Sequence, residues 1–80
     1  MSDFISLQDF ERMFSNAITE CYHKYMIRRR LYGDSWQTCN ISYLQERLMK
    51  EIEEYKETKS KDELVDITNF CLMLIERSEE

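Results

Sequence analysis

The sequence predicts an all-α protein of three helices, at about residues 6–32, 41–57 and 61–77, and three observations lead to this fold class. The 80 residues contain no proline and one glycine, so few tight turns are available. Apolar residues recur three and four positions apart, which is the spacing of one helix face. Two polar stretches, 33–40 and 58–61, divide this pattern into three segments.

The first helix is predicted to begin at Ser6, because a serine followed three residues later by Asp9 is typical of a helix start. Gly33 is predicted to end it as a left-handed cap. Between these two residues, one stripe of apolar side chains is expected to face the core. The stripe consists of Phe10, Phe14, Ala17, Cys21 and Tyr25.

The second helix is predicted to begin at a capping residue, either Asn40 or Ser42. The third is predicted to begin at Ser60, which forms the pattern of a capping box with Glu63. Apolar residues surround most of the third helix, and this indicates burial on several sides. Because a chain of this length buries only a modest core, we expect an oligomer of helical bundles.

The composition favours a single folded domain over residues 1–80, with a hydrophobic fraction of 42%. No apolar run reaches the roughly 18 residues of a membrane span, so no membrane association is expected. The net charge is −5, and residues 41–80 carry eleven acids against six bases. This acidic half disfavours binding to nucleic acid. The odd set of three cysteines has no metal-binding spacing, which favours reduced thiols in a cytoplasmic protein.

Two acidic phrases carry the functional prediction. Glu51 and Glu54 lie one turn apart on the second helix, and Glu63 and Asp66 lie one turn apart on the third. In an antiparallel hairpin, Glu51 should be level with Asp66, and Glu54 with Glu63. Four carboxylates would then share one patch, which is costly at neutral pH without a cation. The sequence therefore predicts a site for a hard divalent cation, Mg²⁺ or Mn²⁺.

The pattern Glu51-x-x-Glu54, eight intervening residues, then Glu63-x-x-Asp66 resembles the signature of the MazG-like all-α nucleoside triphosphate pyrophosphohydrolases. Residues 32–36 and 66–70 are also similar to small members of that superfamily. The resemblance covers about residues 30–77 and implies a helical oligomer that hydrolyses nucleoside triphosphates to monophosphate and pyrophosphate with Mg²⁺. It implies that the four acids bind the metal. The gap between the two phrases is shorter than is usual in the family.

Four more residues are candidates for substrate binding. Lys24 and Arg28, four positions apart, could reach inward and hold phosphate oxygens; alternatively, the run 28–30 is a solvated helix end. Trp36 could stack on a nucleobase or plug the end of the bundle. Asn69 could contact the sugar or base of a nucleotide, or make a hydrogen bond inside the bundle.

The expected function is therefore Mg²⁺-dependent hydrolysis between the α- and β-phosphates of a nucleoside or deoxynucleoside triphosphate by a homodimer or homotetramer. Either Glu51 or Glu54 is expected to take the proton of the attacking water. Two alternatives stay open. One is a non-catalytic helical adaptor whose apolar third helix docks a partner. The other is a family-like protein that binds nucleotide without chemistry.

Overall fold

A computed structural model describes residues 4–78, and within this range the chain is helical without a β-strand. Four α-helices follow one another: α1 Leu7–Met13, α2 Ser15–Tyr32, α3 Ile41–Thr58 and α4 Lys61–Arg77. One 3₁₀ turn, Ser35–Gln37, lies between α2 and α3. The predicted all-α fold class is confirmed, whereas the prediction of three helices is wrong, because the described residues form four. The sequence also predicts a loose lead-in at residues 1–5 and a frayed end at residues 78–80, and residues 1–3 and 79–80 of these lie outside the described range.

The predicted first helix is divided at Phe14, whose φ of −114° and ψ of 24° interrupt the helical path. The Phe14 N–H donates to the Glu11 carbonyl at 3.2 Å, three residues back rather than four. Ser15 and Asn16 follow, and both residue types are better suited to helix ends than to helix interiors. The start at Ser6 is confirmed, because its hydroxyl accepts from the Asp9 N–H at 3.0 Å.

The predicted bounds of the acidic hairpin agree with the structure to within one residue. Asn40 caps α3 by accepting from the Ser42 N–H, and Ser60 caps α4 by accepting from the Asp62 N–H. Lys59 supplies the left-handed residue between them, with φ 54° and ψ 26°. Helix α4 packs against α2 as well as α3, so three helices meet along it.

The connection after α2 is held by a chain of polar contacts. Gly33 has φ 61° and ψ −146°; the positive φ was predicted, but the ψ lies outside the left-handed helical region and favours glycine even more strongly. Arg29 forms a two-pronged ion pair with Asp34 at 3.0 and 3.1 Å. The Tyr25 hydroxyl also donates to Asp34, at 2.6 Å, and in turn accepts from the Trp36 indole at 2.9 Å.

The C-terminal end of α4 ties this connection to the rest of the fold. Arg77 donates from Nη1 to the carbonyl oxygens of Trp36 and Cys39, at 2.9 and 2.7 Å. Trp36 is thereby fixed through both its indole and its backbone, between the end of α2 and the end of α4. Trp36 lines one cleft together with the buried residues Asp66 and Asn69.

The interior is small and partly polar. Among residues 4–78, the buried apolar side chains are Cys21, Leu44 and Phe70. No helix in the described range is both long enough and apolar enough to cross a membrane. The three cysteines are free thiols rather than disulfide partners.

Candidate functional site

Three polar residues are buried where α2, α3 and α4 meet. Glu51 is 4% exposed, Asp66 6% and Asn69 8%. Burying a carboxylate is expensive unless hydrogen bonds or opposite charges compensate it. The partners of each acid therefore show what this junction is arranged to hold.

Asp66 is compensated by two cations from α2. Arg28 donates through Nε to one carboxylate oxygen at 3.1 Å and through Nη2 to the other at 3.2 Å. Lys24 lies one turn earlier, with its Nζ 3.5 Å from Asp66 Oδ2. Both cations reach inward, which is one of the two possibilities that the sequence left open. Both oxygens of Asp66 are thus occupied within the chain itself.

Lys24 is shared between two acids of α4. Its ammonium group donates to Asp62 at 2.9 Å, at the solvent edge of the junction. Burial lowers the pKa of Lys24, but the hydrogen bond to Asp62 and the charge of Asp66 outweigh this effect, so the pKa is raised. Lys24 is therefore a cation at neutral pH.

Glu51 has the opposite electrostatic balance. Burial is the main cause that raises its pKa, and the negative charges of Asp66 and Glu54 raise it further. Its cationic partner is Arg47, one turn earlier on α3, whose Nη2 lies 3.3 Å away. This single contact does not offset the burial and the two neighbouring acids. Glu51 therefore lies where an additional positive charge would be stabilising.

Glu54 and Glu63 complete the predicted set of acids. Glu54 is half-buried, and its charge and a hydrogen bond from it both raise the pKa of Glu51. The Glu63 carboxylate accepts a hydrogen bond from the Thr58 hydroxyl at 2.7 Å. The Ser60 hydroxyl accepts from the Asp62 N–H rather than from the Glu63 N–H. The predicted pairing of Ser60 with Glu63 in a capping box is therefore wrong, although the helix begins where that pattern placed it.

Carboxylate oxygens, the ligand type that hard divalent cations prefer, are present at this junction. Glu51 and Glu54 offer carboxylate oxygens, whereas both oxygens of Asp66 are occupied by Arg28. The pKa of Glu51 is raised by burial first and then by the charges of Asp66 and Glu54. In the described part of the chain, however, no three or more His, Cys, Asp or Glu side chains are arranged to hold a metal ion. Two of the four predicted metal ligands have partners within the chain instead: Asp66 pairs with Arg28, and Glu63 accepts a hydrogen bond from Thr58.

A cleft of about 160 Å³ lies next to the ion pair of Arg28 with Asp66. Its walls combine cationic and aromatic side chains, a mixture that suits an anionic ligand with an aromatic ring. Three of the four predicted substrate-binding residues, Arg28, Trp36 and Asn69, line it, whereas Lys24 is not among the lining residues. The cationic and aromatic members of the lining are Arg28, Arg29, Arg47, Tyr25, Tyr32, Trp36, Tyr43 and Phe70.

Trp36 and Asn69 have structural partners as well as positions on the cleft. The Trp36 ring is half-buried, with its indole N–H bonded to Tyr25. Asn69 donates from Nδ2 to the Cys21 carbonyl at 3.0 Å, which fixes α4 to α2. Of the two roles that the sequence allows for Asn69, the hydrogen bond inside the bundle is therefore present.

Two residues of the site were missed by sequence reasoning. Arg47 lines the cleft, pairs with Glu51 and lies over the Phe70 ring, with 5.8 Å between Cζ and the ring centroid. Its spacing of four residues from Glu51 on one helix was the available signal. Tyr25 was assigned to the apolar stripe, and nothing in the sequence indicated the bonds of its hydroxyl to Asp34 and Trp36.

Comparisons of the chain with protein-family models, curated proteins and solved structures gave no significant match.

Proposed function

We propose that this protein is a Mg²⁺-dependent nucleoside triphosphate pyrophosphohydrolase, which converts a ribo- or deoxyribonucleoside triphosphate and water into the monophosphate and pyrophosphate. The observation that carries the proposal is the pair of buried carboxylates, Glu51 and Asp66, on adjoining helices beside the inward-reaching cations Lys24 and Arg28. A buried acid with a raised pKa, such as Glu51, is typical of functional sites. An adaptor surface does not need buried acids in its interior.

The metal would be held by Glu51, Glu54, Glu63 and Asp66. When bound, Mg²⁺ would neutralise charge on the pyrophosphate leaving group and make water a better nucleophile. Glu51 is well suited to accept the proton of that water, because burial and its neighbours raise its pKa above that of an ordinary glutamate. Glu54, one turn further along α3, is the other candidate for this base.

Lys24 and Arg28 would hold the phosphate oxygens. A triphosphate carries more negative charge than Asp66, so both cations are expected to move from the carboxylate to the substrate. The guanidinium fork of Arg28 fits a phosphate as well as it fits a carboxylate. The exchange would leave both oxygens of Asp66 available once the substrate is bound. Binding of nucleotide and of metal should therefore be cooperative.

The aromatic lining of the cleft would receive the nucleobase. Trp36 is held at its indole N–H and its backbone, so its ring can serve as a fixed stacking surface. Asn69, on the same wall, has an amide that could contact the sugar or the base. We also expect the active form to be a homodimer or homotetramer, since one chain encloses little of a nucleotide.

The proposal is tested by incubating the purified protein with each common ribo- and deoxyribonucleoside triphosphate and Mg²⁺, and separating the products by anion exchange. We expect equal amounts of monophosphate and pyrophosphate, and loss of turnover when EDTA removes the metal. A diphosphate with orthophosphate as the first products would exclude cleavage between the α- and β-phosphates. Absence of turnover with every nucleotide would leave the non-catalytic alternatives.

A further inference from the structure

The cleft beside Asp66 has a cationic wall, although the chain as a whole is acidic. Its charged lining residues are three arginines and one aspartate, whereas the net charge of the chain is −5. They are Arg28, Arg29, Arg47 and Asp66, and the buried Glu51 is not among them. A concave surface lined by one sign of charge attracts ligands of the opposite sign. The cleft therefore suits an anion even before a metal ion is bound.

Two of the three arginines are already occupied by carboxylates of the chain. Arg28 donates through Nε and Nη2 to Asp66, at 3.1 and 3.2 Å. Arg29 donates through the same two nitrogens to Asp34, at 3.0 and 3.1 Å. Such two-pronged contacts are among the strongest hydrogen bonds between side chains. An incoming anion must therefore compete with a carboxylate for each of these arginines.

Arg47 is the least engaged of the three arginines. Within the part of the chain that the structure describes, its one hydrogen bond runs from Nη2 to a carboxylate oxygen of Glu51, at 3.3 Å. That distance is longer than the roughly 2.7–2.9 Å of a strong charge-assisted bond. A guanidinium group carries several N–H donors, so most of those on Arg47 have no partner in the protein. Its side chain is 27% exposed, and it can therefore bind an anion without releasing Glu51.

The Phe70 ring holds the Arg47 guanidinium at the wall of the cleft. The Arg47 Cζ lies 5.8 Å from the ring centroid, and Phe70 itself is buried. An arginine is attracted to the face of an aromatic ring, which fixes the plane of its guanidinium group. Both residues line the cleft. Because a preorganised side chain loses less freedom on binding, Arg47 is suited to be the first contact of an anionic ligand.

We propose that Arg47 binds the phosphate chain of the substrate before a metal ion is bound and without needing one. The inference rests on the proposed function, which supplies a nucleoside triphosphate as substrate, and it adds the residue that first binds the phosphates. Arg28 lines the same cleft, so a chain of phosphates held by Arg47 is presented to the next guanidinium group. The nucleotide then displaces Asp66 from Arg28 only after it is bound. Arg47 thereby sets the order of binding, with the nucleotide before the metal.

The proposal is tested by isothermal titration calorimetry of the protein with inorganic tripolyphosphate, in EDTA and at low ionic strength. The wild type is compared with Arg47→Met, Arg47→Lys and Lys50→Met. We expect Arg47→Met to bind about 10- to 100-fold more weakly than the wild type, because it loses hydrogen bonds to a charged ligand. The affinity of Arg47→Lys should lie between these two, because lysine keeps the charge but lacks the fork of donors.

Lys50→Met is the matched control, because it removes the same charge from the same helix. Lys50 is exposed and does not line the cleft, so this variant should bind tripolyphosphate nearly as tightly as the wild type does. Helical circular dichroism should be the same for all of these proteins. If Arg47→Met fails to fold, Arg47→Lys decides, since weaker binding by a folded lysine variant still shows that the guanidinium group is required.

Nuclear magnetic resonance shows whether the phosphates reach Arg47 itself. The Nε–H signal of Arg47, identified by its absence from the spectrum of Arg47→Lys, should move on addition of tripolyphosphate. The corresponding signal of Arg12 should not move, because Arg12 lies on α1 outside the cleft, with a side chain that is 77% exposed. An unchanged Arg47 signal during binding would place the phosphates elsewhere and overturn the proposal.

The calorimetric outcomes separate this proposal from the enzymatic one. No binding by the wild type in EDTA, or equal binding by the wild type and Arg47→Met, would overturn the role of Arg47. Equal weakening in Lys50→Met and Arg47→Met would overturn it as well, because the effect would then be one of overall charge. Weaker binding by Arg47→Met alone, without hydrolysis of any nucleotide, would support the phosphate contact and refute only the activity. Hydrolysis with an unchanged KM in Arg47→Met would do the reverse.

Discussion

Replacing Glu51 with glutamine is expected to lower the rate of pyrophosphate release by about 10²- to 10⁴-fold while leaving the protein at least as stable. The charged form of Glu51 is disfavoured in the folded state by burial and by its acidic neighbours, which is why its pKa is raised. Glutamine has almost the same shape, carries no charge and can still accept from Arg47. The substitution therefore removes an electrostatic cost together with a proposed metal ligand and base.

The sign of the pH effect follows from the same shift. Because the folded-state pKa of Glu51 lies above its unfolded value, the wild type loses stability as pH rises through the interval between them. Glu51→Gln lacks this loss, so its advantage in free energy of unfolding should grow over that interval and be absent at lower pH. Urea unfolding of the wild type and of Glu51→Gln at acidic and at neutral pH measures this difference in the free energy of unfolding.

Glu53→Gln is the matched control for this variant. Glu53 lies on the same helix, but its side chain is 65% exposed and pairs with Lys56 on the surface. It should keep nearly full activity and stability. If Glu51→Gln instead retained activity, Glu51 would have no role as metal ligand or base in the reaction. A marked loss of stability would mean that its contact with Arg47 is structural.

Replacing Asp66 with asparagine is expected to have the opposite effect on stability, although Asp66 belongs to the same proposed set. We expect a loss of about 2–3 kcal/mol in the free energy of unfolding, together with inactivation. Asparagine offers one acceptor and turns an amide donor toward the Arg28 fork, which has only donors. It also leaves Arg28 and Lys24 close together without an anion between them.

Asp62→Asn separates this effect from a general weakening of α4. Asp62 lies on the same helix and accepts from the same Lys24, but its side chain is 71% exposed, against 8% for Asp66. The change should therefore cost less than about 0.5 kcal/mol in urea unfolding. Equal losses from the two substitutions would show that burial of Asp66 adds nothing to its ion pair.

Most of the hairpin could be predicted because its signals are local. Asn40 and Ser60 are helix-capping residues, and the order of the acids along two antiparallel helices places Glu51 level with Asp66. The influence of Asp66 on the pKa of Glu51 agrees with that register. The break at Phe14 could not be predicted, since the apolar spacing continues across it and only backbone angles distinguish one helix from two.

Contacts between helices distant in sequence could not be predicted either. The sequence left open whether Arg28 reaches inward or ends its helix in solvent, and its partner depends on how α2 crosses α4. The hydrogen bond from Thr58 to Glu63 depends on the local path of the turn, because Glu63 could equally have paired with Ser60 in a capping box. The metal-binding role of the four acids, the substrate-binding role of Lys24, Arg28, Trp36 and Asn69, and the enzymatic activity stay predictions.

Binding of Mn²⁺, followed by the electron paramagnetic resonance signal of the free ion, tests the proposed site most directly. Wild-type protein should bind the ion weakly alone and at least tenfold more tightly with a non-hydrolysable α,β-imido nucleoside triphosphate, because the nucleotide draws Arg28 and Lys24 away from Asp66. Glu51→Gln should abolish this binding, and Glu53→Gln should not. Equal binding by the wild type and Glu51→Gln, or no binding with the nucleotide present, would contradict a metal site at these acids.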